Sequence, residues 1–254
     1  RAHLKTFSLA TAAKAMTKGV TAEVSGTLRH DRWKDKGTGR WTSQNALDLG
    51  TPIPTIDAAV GARMMSSRKE ERVAASAKLT GPAIEPVTGK KERAALIDHL
   101  ENALYFAKIS SYAQGMALLQ AASTTYNWNL KLSEIARIWM AGCIIRAELL
   151  DPIRAAFKDD PSLVNLLLAP HITKDVNESS PSARIVVETA VRNGIPVPAY
   201  TASLNYVDTY RTEKLPANLI QGLRDNFGAH TYRRLDRSGV FHTNWTTGET
   251  ETIG

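Results

Sequence analysis

Residues 92–123, ERAALIDHLENALYFAKISSYAQGMALLQAAS, place apolar or small side chains at three- and four-residue steps. These are Ile97, Leu100, Leu104, Ala107, Ser111, Gly115, Leu118 and Ala122. That period predicts an α-helix with one inward face. A helix of about 30 residues is more than twice the usual globular length, so any fold must be organised around it. The small side chains on the inward face predict close approach of a second helix.

The next stretch, NLKLSEIARIWMAGCIIRAELLDPIRAAF at 129–157, follows the same period. Ser133 is the expected N-cap ahead of Ile135, Ile138 and Trp139, and Pro152 is expected to break or restart the helix. Further helical pieces are expected in PSLVNLLL, SARIVVETAVRNG, TASLNYVDTYR and LPANLIQGLRDNFGAHTYRRL. Gly194 should stop the second of these, with Pro196 and Pro198 preventing its resumption. Pro216 suits a first-turn position in the last. No region alternates apolar and polar residues over enough length to build a sheet. The expected fold class is therefore all-α, with long core helices and an extended C-terminal tail, FHTNWTTGETETIG.

A chain of 254 residues with 43% apolar and 22% charged side chains can bury a substantial core. Its net charge of +7 favours anionic partners. The cations are dispersed and form no basic tail, so nucleic acid is not an expected partner. No window is apolar enough for a membrane span. Cys143 is the only cysteine, which excludes an intrachain disulfide and points to a reducing compartment, cytoplasmic or organellar. Its apolar setting, MAGCII, suits a buried thiol better than a nucleophile. Residues 1–22 contain four cations and no acid, and read as a short basic helix or an organelle transit sequence. The chain begins at Arg1 without Met, as a processed protein or a fragment would.

The six histidines are scattered without metal-ligand spacing, so no metal site is expected. No serine-hydrolase elbow and no Gly-rich fingerprint after a strand occur. KDKGTGRW, at 34–41, has two glycines around a hydroxyl residue with Lys36 and Arg40 beside them. It is either an anion-binding loop or an ordinary glycine turn.

Several blocks together resemble the decarboxylating 6-phosphogluconate dehydrogenases. They are KGTGRWTSQNALDLGTPIPTIDAAVGAR (36–63), KISSYAQGMALLQ (108–120), GCIIRAELL (142–150), LPANLIQGLRDNFGAHTYRR (215–234) and FHTNW (241–245). The resemblance implies a large helical C-terminal domain that completes a substrate site and forms a homodimer. It implies oxidation of 6-phosphogluconate by NADP with loss of CO2, giving ribulose 5-phosphate in the pentose phosphate pathway. By motif, Lys36 and Arg63 are implied to contact the substrate, mainly at its phosphate. Arg224 and His230, of RDxFGAH, are implied to enter the neighbouring subunit's site. The chemistry agrees, because several cations suit a phosphate dianion and Arg offers a planar fork for two oxygens.

The expected organisation is a divergent basic segment (1–35), a helical substrate-binding and dimerisation domain (36–245) and a C-terminal tail (246–254). Residues 1–35 lack the family's KxxHNxxEY segment, which supplies its lysine base and glutamate acid. No catalytic residue is assigned here, and no cofactor-binding residue is identified. The isolated chain is expected to be inactive, since it lacks that acid–base pair and the cofactor domain. A non-catalytic dimerisation or metabolite-binding relative is the alternative.

Overall fold

The computed structural model describes residues 37–142 and 145–253. Two compact units divide at Val207/Asp208, and each is described by itself. In the first, the chain runs through α1 (Thr38–Asp48), α2 (Pro54–Ser66), α3 (Lys69–Ser76), α4 (Lys90–Thr125), α5 (Leu132–Trp139) and α6 (Leu150–Asp159). A single 3-10 turn (Leu166–Leu168), α7 (Pro170–Arg192) and α8 (Pro198–Tyr210) follow, the last turn of α8 crossing the boundary. The second unit holds α9 (Asn218–Gly228) and a hairpin of β1 (Phe241–Thr243) and β2 (Thr250–Thr252). The expected all-α class holds, with this short hairpin as the addition.

Helix α4 is the axis of the first unit. It extends over 36 residues and packs against α2, α5, the 3-10 turn and, most extensively, α7. Because neighbours lie on several sides, its buried set is wider than one stripe. Phe106, Ile109, Ala113 and Met116 are buried along with the expected Ala107, Leu118 and Ala122. Ala103, Ala107 and Ala113 supply the small contacts. Gly115 does not, since nothing lies within 4 Å of where a Cβ would stand. Around this axis Leu150, Ile153, Leu166 and Ile172 are wholly buried in one continuous core. Each contributes about 1.5–3 kcal/mol of hydrophobic stabilisation.

The 129–157 stretch resolves into two helices. Ser133 lies inside α5, whose N-cap is Lys131, and α6 starts at Leu150, so Pro152 falls within its first turn. Proline is tolerated there because first-turn N–H groups have no intrahelical acceptor. PSLVNLLL forms only the 3-10 turn, capped by Asn165, whose side chain accepts from the Leu167 N–H at 2.9 Å. Helix α7 begins twelve residues before the expected start, at Pro170, and runs through Pro181. Its end is the expected one. Gly194 has φ 63°, and the Ile195 and Gly194 N–H groups donate to Ala190 and Val191 carbonyls, closing the helix in a Schellman turn.

A buried polar chain ties α2, α4 and α8 together. The Thr55 N–H donates to Gln114 Oε1 at 2.9 Å, and Gln114 Nε2 donates to Thr55 Oγ1 at 2.7 Å and Ser110 Oγ at 3.0 Å. Ser203 Oγ spends its proton on the Ala199 carbonyl, so the 3.0 Å contact between Thr55 and Ser203 has Thr55 as donor. Every polar side-chain atom of Thr55, Ser110, Gln114 and Ser203 has at least one partner, and the start of α2 is thereby fixed.

Candidate functional site

GTG, residues 37–39, is a helix start. Gly37 is the N-cap of α1 with φ 102°, a conformation that favours glycine. The first bond of the helix runs from the Trp41 N–H to the Gly37 carbonyl at 2.9 Å, so the N–H groups of Thr38, Gly39 and Arg40 precede the intrahelical ladder, and such a mouth is favourable to anions. Gly39 belongs to the helix, and its role is close approach: a Cβ there would stand 3.0 Å from Val60 Cγ2 of α2. One turn further, Ser43 Oγ donates to Asp57 Oδ1 at 2.6 Å. The pairings 39 with 60 and 43 with 57 make α1 and α2 antiparallel. Arg63, three residues beyond Val60, therefore stands level with the mouth of α1. It is half-buried in the last turn of α2. Lys36 and Cys143 lie outside the described residues, as do residues 1–35.

In the second unit Arg224 and His230 are brought together, both exposed, with Arg224 Nη2 3.4 Å from His230 Nδ1. A guanidinium can only donate, so Nδ1 accepts and the imidazole proton sits on Nε2. Helix α9 ends at Gly228, where a Cβ would meet His230 Cδ2 at 3.1 Å. Ala229 (φ 49°) and Thr231 (φ 59°) on either side of His230 are both left-handed. The FGAH sequence is thus a helix end folded back so that the imidazole reaches Arg224.

Asp225, next to Arg224, holds this turn. It is fully buried and accepts four hydrogen bonds. Oδ1 takes the Thr231 N–H at 2.8 Å and His242 Nδ1 at 3.0 Å; Oδ2 takes the Thr243 N–H at 3.0 Å and Trp245 Nε1 at 2.9 Å. Burial pushes the carboxyl up, but the bonds from Thr243, His242, Trp245 and Thr231 outweigh it and hold it at about 2. Tyr232 pairs with Phe241 through both backbone groups at 2.8 Å, which adds a row to the β1–β2 hairpin. The tail expected to be merely extended is ordered by these bonds.

Sequence reasoning named Arg63, Arg224 and His230, and the structure sets the last two side by side. It did not single out Asp225, Gln114 or Thr38. The acid in RDNFG, the single acidic residue of its helix, was the available signal for Asp225. Among the described residues no group of three or more His, Cys, Asp or Glu could hold a metal ion. No described helix is long and apolar enough to cross a membrane. Nor do the described residues form the Gly-rich strand–turn–helix that cradles a dinucleotide.

The described residues are predominantly helical, with one 36-residue helix as the axis of the first unit, which is the class of a long-helix α domain. The family model described as 6-phosphogluconate dehydrogenase, C-terminal domain, matches residues 3–245, and the chain belongs to that family. Over 210 residues it is 56% identical to the decarboxylating 6-phosphogluconate dehydrogenase of Synechococcus elongatus, covering 83% of this chain and 44% of the relative. With the Escherichia coli enzyme of the same description it shares 52% over 215 residues, 85% of this chain and 45% of that one. The Bacillus subtilis relative, described as NADP(+)-dependent, matches to the same extent. The solved structure of Plasmodium falciparum 6-phosphogluconate dehydrogenase superposes with a TM-score of 0.80 at 43% identity. It covers 86% of this chain and 47% of that one, and is described apo, with its cofactor NADP+ and with its substrate 6-phosphogluconate. The chain thus spans less than half the length of the relatives it matches.

Proposed function

We propose that this chain is the substrate-holding, dimer-forming portion of an NADP-dependent 6-phosphogluconate dehydrogenase. In this reading 6-phosphogluconate is oxidised at C3 with NADP as the oxidant, and loss of CO2 leaves ribulose 5-phosphate. Lys36 and Arg63 of one subunit, with Arg224 and His230 of its neighbour, hold the substrate, mainly at its phosphate. The observation that carries the reading is the Arg224–His230 pair, with Nη2 3.4 Å from Nδ1, a contact that calls for the tautomer with its proton on Nε2. A guanidinium fork and an N–H donor on one turn match a phosphate dianion bearing several acceptor oxygens.

Dimerisation is supported by the second unit's composition. Leu219, Ile220, Leu223 and Phe227 of α9 are all exposed, Phe227 by 84%, while Phe241 is the only buried hydrophobic residue described there. A unit under about 50 residues with so little core needs a surface to pack on.

These 254 residues contain no KxxHNxxEY segment, so we infer that the polypeptide alone does not turn over 6-phosphogluconate. The same observation supports the second reading, a non-catalytic metabolite-binding relative. Calorimetric titration with 6-phosphogluconate, and an absorbance assay for reduced NADP, test both. Binding without turnover is the expected result; absence of binding in a folded dimer would overturn the substrate-holding role, and turnover would overturn the inactivity.

A further inference from the structure

We propose that Asp225 is a positioning residue that pre-forms the Arg224–His230 pair, and that it does so through the four donors filling its carboxylate. The proposal rests on the reading of that pair as an anion site.

The carboxylate has an unusual set of partners. All four donors come from residues 231–245, and none from its own helix. It therefore fastens the C-terminal end of α9 to the turn that follows and to the hairpin beyond. The Thr231 N–H bond acts directly on the strained turn, because His230 lies between two left-handed residues, neither of them glycine. Such backbone persists only where the surroundings over-determine it. Gln221 adds a second fastening, with Nε2 donating to the Thr231 carbonyl at 2.6 Å.

The same arrangement keeps Arg224 in place for an anion. An acid adjacent in sequence to an arginine could capture the guanidinium. Here both Asp225 oxygens are occupied by other donors, and Arg224 turns to Gln221 Oε1 and His230 Nδ1, each at 3.4 Å. The carboxylate organises the cation without neutralising it by contact.

Two effects of Asp225 on anion binding thus have opposite signs. As a bare negative charge it repels an anion, so its removal would tighten binding. As a positioning group it holds the pair in register, so its removal loosens binding. Asp225→Asn separates them, since the amide keeps the shape but turns an N–H2 towards two of the four donors.

The test uses the full 254-residue chain with 6-phosphogluconate as the probe in calorimetry, and long-range 1H–15N spectra of the His230 ring assigned with His230→Gln. Wild type is expected to show His230 protonated at Nε2. Asp225→Asn, with helicity unchanged by circular dichroism, is expected to average the two tautomers and to weaken binding tenfold or more. Unchanged or tighter binding, or an unchanged tautomer, would overturn the proposal. Arg224→Ala separates this from the site reading: if it leaves binding intact, that reading fails, and the tautomer measurement, which needs no ligand, still decides the role of Asp225. Should Asp225→Asn not fold, Trp245→Phe, which removes one donor, is expected to move the tautomer balance and the affinity in the same direction by a smaller factor of two or three. A Trp245→Phe protein identical to wild type in both readouts would then overturn the proposal.

Discussion

Gln114 and Thr55 bond to each other twice, backbone N–H to amide oxygen at 2.9 Å and amide nitrogen to hydroxyl at 2.7 Å, across 59 residues of sequence. Both are buried. The double contact fixes the start of α2, and with it the axis along which Asp57, Val60 and Arg63 follow.

Gln114→Leu should therefore cost stability beyond its similar volume. It strands the Thr55 N–H and removes a donor from two hydroxyls in a buried setting. Each stranded group costs about 1–3 kcal/mol. Urea unfolding is expected to show a loss of roughly 2–4 kcal/mol with an unchanged m-value. A loss below about 0.5 kcal/mol, the usual range for an inconsequential surface change, would mean that the network is dispensable.

Gly39→Ala tests the α1–α2 approach through a change of sign. Alanine is favoured over glycine in a helix interior by about 1 kcal/mol. Here its Cβ would stand 3.0 Å from Val60 Cγ2, a stiff branched side chain. The substitution should destabilise the wild type and stabilise a Val60→Ala background. Thermal melts of the four proteins form the cycle, and the same sign in both backgrounds would refute the close approach.

Acid should loosen the second unit in a defined window. Asp225 is held at about 2, below the ordinary carboxylate range, so its contribution is complete above that range. That contribution is lost as pH falls towards 2 and the native carboxyl protonates. Asp236, held down by its bond from Arg234, also sits at about 2 and titrates with it. The amide protection of Thr231 and Thr243, corrected for intrinsic exchange, should fall between about pH 4 and pH 2. Asp225→Asn should show low protection already at neutral pH; a wild-type acid profile in that variant would assign the transition elsewhere.

Two surface substitutions address the proposed site and dimer. Arg224→Ala should weaken 6-phosphogluconate binding about tenfold or more without unfolding the chain, in keeping with the loss of a charge-assisted fork. Phe227→Asp, on the exposed face of α9, should shift light scattering towards the 27.8 kDa monomer. A wild type that is itself monomeric would remove the basis for shared sites.

The sequence revealed elements whose signal is local and concealed those set by distant partners. The long helix was expected at 92–123 and spans Lys90–Thr125, because its period repeats over eight or nine turns. Its buried face was legible only in part, since neighbours on several sides erase the single stripe. The first half of α7 gave no warning of a helix, as NESSPS is poor in helix formers; burial of Ile172, Val176 and Ser179 against the core overrides that preference. At the candidate site, a motif singled out Arg224 and His230, which the fold sets 3.4 Å apart. Asp225 looked like an ordinary surface acid, because its four donors lie 6 to 20 residues away at no regular spacing.

An oily interior yields gradually: a lost methylene lets its neighbours slide inward and share the damage. The middle of the second unit has no such slack, for a buried charge with every acceptor direction taken admits one seating of its donors. A shift of an ångström in β1 would break two bonds to Asp225 at once and move the turn bearing His230. Drift in this stretch of sequence should therefore come in matched steps, with the hairpin and the end of α9 changing together or not at all.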